Sequence, residues 1–294
     1  MHPSLTIYRE EVKEYIRTDF EIETLADDCR FTEGPVWNPE GYYLFSDITA
    51  NTVYRLIPGQ EKEVYLANSG TDDPEDQDLK EDMTGSNALA YDLKGDLLIC
   101  RHGSHHVGIL QAATVKPFID SYNGKPFNSP NDLVVHPSGK IFFSDPPYGL
   151  REGKLNPEKF QPIAGVYAWH AESAELVCDR YQYPNGVCLS HSADKLYICS
   201  NKPFENFVCE YDAYDHRFLR ILCNENSDGI KCDPRGNLYL CNKAGIIILN
   251  SEGERVALIA LPTVPANICR GGVEYKDLFI TARENVFLIK ELLR

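Results

Sequence analysis

Short apolar runs recur along this chain at intervals too long for a helical face and too regular for chance. Each of five stretches puts an oxygen-bearing side chain in front of such a run: Glu33-Gly34-Pro35-Val36-Trp37, Ser86-Asn87-Ala88-Leu89-Ala90, Pro130-Asn131-Asp132-Leu133-Val134, Pro184-Asn185-Gly186-Val187-Cys188 and Ser227-Asp228-Gly229-Ile230-Lys231. Eight residues after Glu33, Asn87, Asn131 and Asp228 stands a glycine (Gly41, Gly95, Gly139, Gly236), and a second run follows it, as in Tyr42 to Phe45 or Asn237 to Cys241. A glycine between two strand-length apolar runs predicts a hairpin turn. After Asn185 the turn falls one residue later, near Asp194-Lys195, and a degraded sixth copy begins at Asn267 and runs through Gly271-Gly272-Val273 to Leu278-Phe279-Ile280-Thr281-Ala282.

The six positions 33, 87, 131, 185, 228 and 267 are 39 to 54 residues apart, room for about four short strands per unit. Six such units predict an all-β fold, a six-bladed β-propeller, occupying residues 1–294 as one domain. The first strand of every blade would line the central channel, so residues at its mouth converge from distant parts of the chain. Asn and Asp also start turns for local reasons, which explains one or two of these positions but not Glu33. Phe20 to Leu25 and Asn285 to Ile289 are lone strand-like segments expected to share one blade and close the ring. Residues 1–19 form an N-terminal extension, with Tyr8 to Ile16 as a short amphipathic helix outside it.

Composition narrows the function. The 294 residues carry 29 basic and 44 acidic side chains, a net charge of −15, the wrong sign for holding nucleic acid or an anionic membrane. No run reaches the length of a membrane span, and the first residues lack an apolar h-region with a small-residue cleavage site. A cytoplasmic protein, monomeric or weakly homo-oligomeric, is expected. Ten cysteines, none in C-x-x-C spacing and several inside apolar runs, read as reduced core residues.

Glu33, Asn131, Asn185 and Asp228 offer four hard oxygen donors with two negative charges. That set suits calcium, with magnesium, zinc and manganese as alternatives: magnesium keeps more water, and zinc favours the Cys and His this quartet lacks. The acidic stretch from Thr71 to Asp82 lacks the glycine and terminal glutamate of an EF-hand loop and reads as a solvated insertion. Arg151 to Gln161 is a second polar insertion, expected to lie over the channel mouth.

The quartet and its surroundings resemble the SMP-30/gluconolactonase/regucalcin-like family from about residue 20 to the C-terminus. The resemblance rests on Thr32 to Trp37, Ser129 to Leu133, Ser144-Asp145-Pro146-Pro147-Tyr148-Gly149-Leu150, Tyr183 to Val187, Asp228-Gly229-Ile230 and Leu278 to Ala282. It implies a divalent metal, usually calcium, on Glu33, Asn131, Asn185 and Asp228, and hydrolysis of a small sugar lactone with Asp228 as the proton acceptor. Asn87, His102 and Tyr148 fall where family members hold substrate hydroxyls. Three positions depart from the family: Ser129 replaces an arginine of the animal members, His105-His106 replaces paired arginines of many bacterial lactonases, and Ala88 follows Asn87 in place of glycine. Related propellers also hydrolyse phosphorus or aryl esters, and a calcium-binding propeller without catalysis would have a disrupted quartet.

Overall fold

The computed structural model describes residues 4–73, 75, 78–81 and 83–294. Six sheets stand in a ring, a six-bladed β-propeller: residues 32–67 form blade 1, 86–119 blade 2, 133–178 blade 3, 187–223 blade 4, 230–259 blade 5 and 267–289 blade 6. Every blade is an antiparallel meander, and the first strands of successive blades touch one another around the channel. The four hairpin glycines have φ of +102° (Gly41), +88° (Gly95), +86° (Gly139) and +84° (Gly236), the region that L side chains avoid.

The second strands read as unbroken apolar runs because both of their faces are buried. In Tyr42–Asp47, Tyr42 and Leu44 pack toward blade 2 with Leu89, Leu97 and Ile99. Tyr43 and Phe45 point the other way, to Phe279 and Leu288 of blade 6, and the Tyr43 and Phe279 rings stack with centroids 4.2 Å apart. Six such apolar clusters, one between each pair of neighbouring blades, hold the ring.

The chain ends close it. Glu23–Ala26 pairs with Asn285–Ile289 as the outer strand of blade 6, in the register Glu23 to Leu288 and Thr24 to Phe287. A feature not anticipated from the sequence is Leu5–Ile7, which adds a fifth strand to blade 5 by pairing with Arg255–Ile259. The helix expected over Tyr8 to Ile16 is a short 3-10 helix, Glu10–Glu14. All ten cysteines are free of disulfide bonds. Among the described residues no helix is long and apolar enough to cross a membrane.

The two insertions trade their expected places. Leu79 bridges Leu150, Lys80 N–H donates to Gly149 O (2.9 Å), and Arg151 N–H donates to Asp78 O (2.8 Å). This pairing brings Lys80 and Met83, at the end of the acidic insertion, into the wall of the channel mouth, whereas residues 151–161 stay outside that wall. Asp76 and Asp82 of the acidic stretch lie outside the described residues.

Candidate active site

The key positions share one backbone geometry. Asn131, Asn185 and Asp228 each donate their N–H to the second strand of their own blade, at Ser144 O (2.9 Å), Cys199 O (2.8 Å) and Cys241 O (2.8 Å). Around the channel the blades are then sewn together. Ser46 Oγ donates to Asn87 O (2.7 Å), Ala88 N–H to Asn131 O (2.9 Å), and Ser144 Oγ to Asn185 O (2.6 Å). Gly186 N–H donates to Asp228 O (2.9 Å), Gly229 N–H to Ala266 O (2.7 Å), and Ala282 N–H to Thr32 Oγ1 (3.0 Å), which completes the circle. The approach is close enough to require glycine: a Cβ on Gly34, whose φ is +54°, would sit 2.1 Å from Asn87 O, and one on Gly186 would sit 2.5 Å from Asp228 O. The main chain at these positions is thus committed to the ring, and the side chains of Glu33, Asn87, Asn131, Asn185 and Asp228 are left to face the mouth.

A cavity of about 470 Å³ opens there, within the usual range of small-molecule sites. Glu33, Asn131, Asn185 and Asp228 all line it, together with Asn87 and Tyr148. Tyr148 donates its hydroxyl to Asn201 Oδ1 (2.9 Å), and Asn185 Nδ2 donates to Asp228 Oδ1 (2.5 Å). Burial, and then the facing Asp228 carboxylate, push Glu33 above the usual carboxylate range. Asp228 is raised by burial too, against hydrogen bonds from Asn201 and Asn185 and the charges of Arg283 and Lys202. Beneath the quartet, Lys231 Nζ lies 3.3 Å from Asp132 Oδ2, and Val187 N–H donates to the same oxygen at 3.1 Å.

His102 stands one layer behind the cavity wall. Its Nδ1 lies 3.3 Å from Met83 O, which makes Nδ1 the protonated nitrogen and Nε2 the acceptor for Asn87 Nδ2 at 3.4 Å. Asn87 Oδ1 is thereby turned away from the imidazole, buried and without a hydrogen-bond partner. His105 donates to Asn128 O (2.6 Å) and packs on Phe160, and His106 bonds Ser104 O (2.8 Å); neither reaches the cavity. Ser129, at the family's arginine position, is fully buried between Pro146 O (2.5 Å) and Gly149 N–H (2.9 Å). Asn267, the sixth key position, stays below the mouth, where its Oδ1 accepts the Ile268 N–H at 2.9 Å.

Sequence reasoning missed Asn201, Lys202, Arg30 and Arg283 in the wall. A second repeat offset would have found most of them. Thr49, Tyr148, Asn201, Lys202 and Arg283 each lie 16 or 17 residues past the key position of their own blade, where the second strand ends and the chain turns over the mouth.

Among the described residues no three His, Cys, Asp or Glu side chains cluster as a metal site. The quartet escapes such a pattern because half its donors are amides. Two mutually repelling buried carboxylates, two amide side chains and an unpartnered buried amide oxygen at Asn87 form a donor set that fits a hard divalent cation.

Fold and site together define a class: a six-bladed propeller with an oxygen-lined, small-molecule-sized cavity at the mouth of its channel. The SMP-30/gluconolactonase/LRE-like region matches residues 31–284 of this sequence, and the chain belongs to that family. A curated gluconolactonase of Zymomonas mobilis is 30% identical over 288 residues, covering 92% of this chain and 81% of its own length. The solved structure of a gluconolactonase from Xanthomonas campestris has a TM-score of 0.83 at 23% identity, covering 99% of this chain and 95% of that one. The calcium-binding regucalcin of Agrobacterium tumefaciens has a TM-score of 0.73 at 16% identity, covering 93% and 95%.

Proposed function

We propose that this protein is a metal-dependent hydrolase that opens a sugar lactone to its aldonic acid. The observation that carries this reading is the convergence of Glu33, Asn131, Asn185 and Asp228, from four blades, on one cavity. Membership of a family that includes a gluconolactonase 30% identical to this chain supports it. The quartet would hold the ion, calcium by its donor chemistry, with zinc, manganese or magnesium as alternatives. When bound, such an ion supplies Lewis-acid polarisation of a carbonyl oxygen and offsets the negative charge that develops there.

Asp228 is the general base. Its carboxylate takes a proton from the water that adds to the lactone carbonyl carbon; the ring C–O bond then breaks, and the leaving oxygen recovers a proton as the new hydroxyl. Asn185 and Asn201 hydrogen-bond this carboxylate and fix its orientation. Calcium acidifies water far less than zinc does, so a side-chain base is needed. Asn87 and Tyr148 face the same space and hold ring hydroxyls, with His102 setting the rotamer of Asn87.

The test joins metal analysis of the purified protein to a pH-indicator assay across a panel of aldonolactones, because ring opening releases an acid whatever the sugar. Chelation should abolish acid release and calcium should restore it. A lactonase indifferent to chelators would overturn the role given to the quartet.

A further inference from the structure

Beside the main cavity lies an annex of about 250 Å³ that shares Asn201, Lys202, Asp228 and Arg283 with it and adds Lys243 and Asn242. Three cations, Lys202, Lys243 and Arg283, face one carboxylate there. The main cavity repeats the bias, with Arg30, Lys80, Lys202 and Arg283 against Glu33, Asp228 and Glu284. This excess of positive side chains runs against the net charge of −15 of the chain as a whole. Among the described residues, Lys202, Lys243 and Arg283 form no ion pair with a carboxylate: Arg283 lies over the Phe31 ring (4.7 Å), and Lys202 over Tyr148 (5.0 Å) and Tyr183 (4.6 Å).

Hydrogen bonds brace the annex. Asn242 Nδ2 donates to Asn226 O (2.7 Å) and Oδ1 (3.0 Å), Asn226 Nδ2 donates to Asn201 O (3.0 Å), and Ala244 N–H donates to Asn242 Oδ1 (3.1 Å). This amide ladder holds the turn that carries Lys243 against the turn that carries Lys202. Arg283 and Lys202 already act on the Asp228 carboxylate through their charge, and a neutral lactone would give the added positive charge of Lys243 nothing to bind. A divalent ion in the quartet would add to the local positive charge and so increase the need for a balancing anion.

We propose that the annex binds an anionic substituent, a phosphate or carboxylate, on the carbon chain of the lactone, held by Lys202, Lys243 and Arg283 while the ring carbonyl lies at the quartet. The substituent then acts as an anchor outside the reacting centre, and its binding energy positions the carbonyl. This inference rests on the lactonase reading and narrows it to acidic sugar lactones.

The experiment compares D-glucono-δ-lactone with its 6-phosphate and with a glucarolactone, in wild type, Lys243→Gln and Lys243→Arg. Lys243 is exposed at a turn, so these variants fold. One charge-assisted contact should give at least one acidic lactone a kcat/KM about tenfold above the neutral one at low salt. The gap should shrink as ionic strength rises. Lys243→Gln should cut that ratio several-fold and Lys243→Arg should restore it, and the acidic substrate that gains more identifies phosphate or carboxylate. A preference for the neutral lactone, or a ratio unmoved by Lys243→Gln, overturns the proposal and leaves the lactonase reading intact. Should no lactone be hydrolysed, that reading fails separately, and calorimetry with 6-phosphogluconate decides the annex: binding weakened by Lys243→Gln upholds it, and equal binding to both proteins overturns it.

Discussion

The channel mouth and the seam between blades 5 and 6 are built on opposite terms. At the mouth, oxygen-bearing side chains crowd together with like charges facing, while hydrogen bonds between blades hold the main chain. At the seam, Leu5, Val12, Ile16 and Phe20 of the N-terminal extension pack with Ile246, Ile259, Ile280 and Leu292 in one apolar cluster. Arg17 N–H donates to Leu292 O (2.8 Å) and Arg294 N–H to Tyr15 O (3.0 Å), so both ends of the chain are tied down together. The mouth concentrates buried, mutually repelling carboxylates, whereas the seam is an apolar cluster. Substitutions in the two regions should therefore move different observables.

The largest effect is expected at the seam. Deleting residues 1–27 removes the outer strand of blade 6 and the added strand of blade 5, and exposes two sheet edges. It also removes at least four buried apolar side chains, each contributing about 2 kcal/mol by burial. The truncated protein should aggregate, as read by light scattering. A monomer with an unchanged melting temperature would refute closure by the N-terminus.

Next comes the mouth. Asp228→Asn keeps an oxygen donor but removes the proposed base, so turnover should fall by about a hundredfold or more. Because the substitution also removes one of two repelling carboxylates, the metal-free protein should melt no lower than wild type. Asn185→Ala deletes a neutral donor and should weaken metal binding while the propeller stays folded. If Asp228→Asn kept wild-type turnover with metal bound, its role as base would be wrong; if it unfolded the protein, the contrast between mouth and seam would be wrong.

How far each region could be read in the sequence follows from the same contrast. The mouth was legible because ring closure forces one backbone geometry on every blade, and that geometry leaves its mark as a key residue, a glycine eight positions on, and an apolar run between buried faces. Glu33, Asn131, Asn185 and Asp228 occupy equivalent places for that reason. The rim was less legible because the turns that carry Lys202, Lys243 and Arg283 vary in residue type, and their offset from the key positions repeats only loosely, at 15 to 17 residues. The seam was legible where a strand completes a blade, at Glu23–Ala26. It was not at Leu5–Ile7, since three residues paired with Ala257, Leu258 and Ile259 carry no periodicity of their own. Likewise the helix-like spacing of Tyr8 to Ile16 comes from packing on blade 5, with only Glu10–Glu14 turning as a 3-10 helix.

The smallest expected effect is acid sensitivity confined to one side of the ring. His102 and His106 belong to the mouth side, in blade 2 and its connecting turn, and the described part of the seam contains no histidine. Burial lowers both histidines from 6.5 to about 4. His106 shows why: its Nδ1 is taken by Ser104 O, its Nε2 is buried without a partner, and the neighbouring Arg101 also opposes a positive ring. In the unfolded chain these rings gain a proton near pH 6.5, whereas the folded protein resists until about pH 4. The stability they contribute is therefore complete above the unfolded pKa and is lost as the pH falls through that window, at most about 3 to 4 kcal/mol for each ring. Since propellers open locally as well as globally, amide protection factors in His106–Gln111 should drop between pH 7 and pH 5 relative to those in Gly245–Leu249. His106→Gln should flatten that difference. An equal loss of protection in both strands would mean that acid acts on the whole ring, and that mouth and seam do not separate in stability as they do in composition.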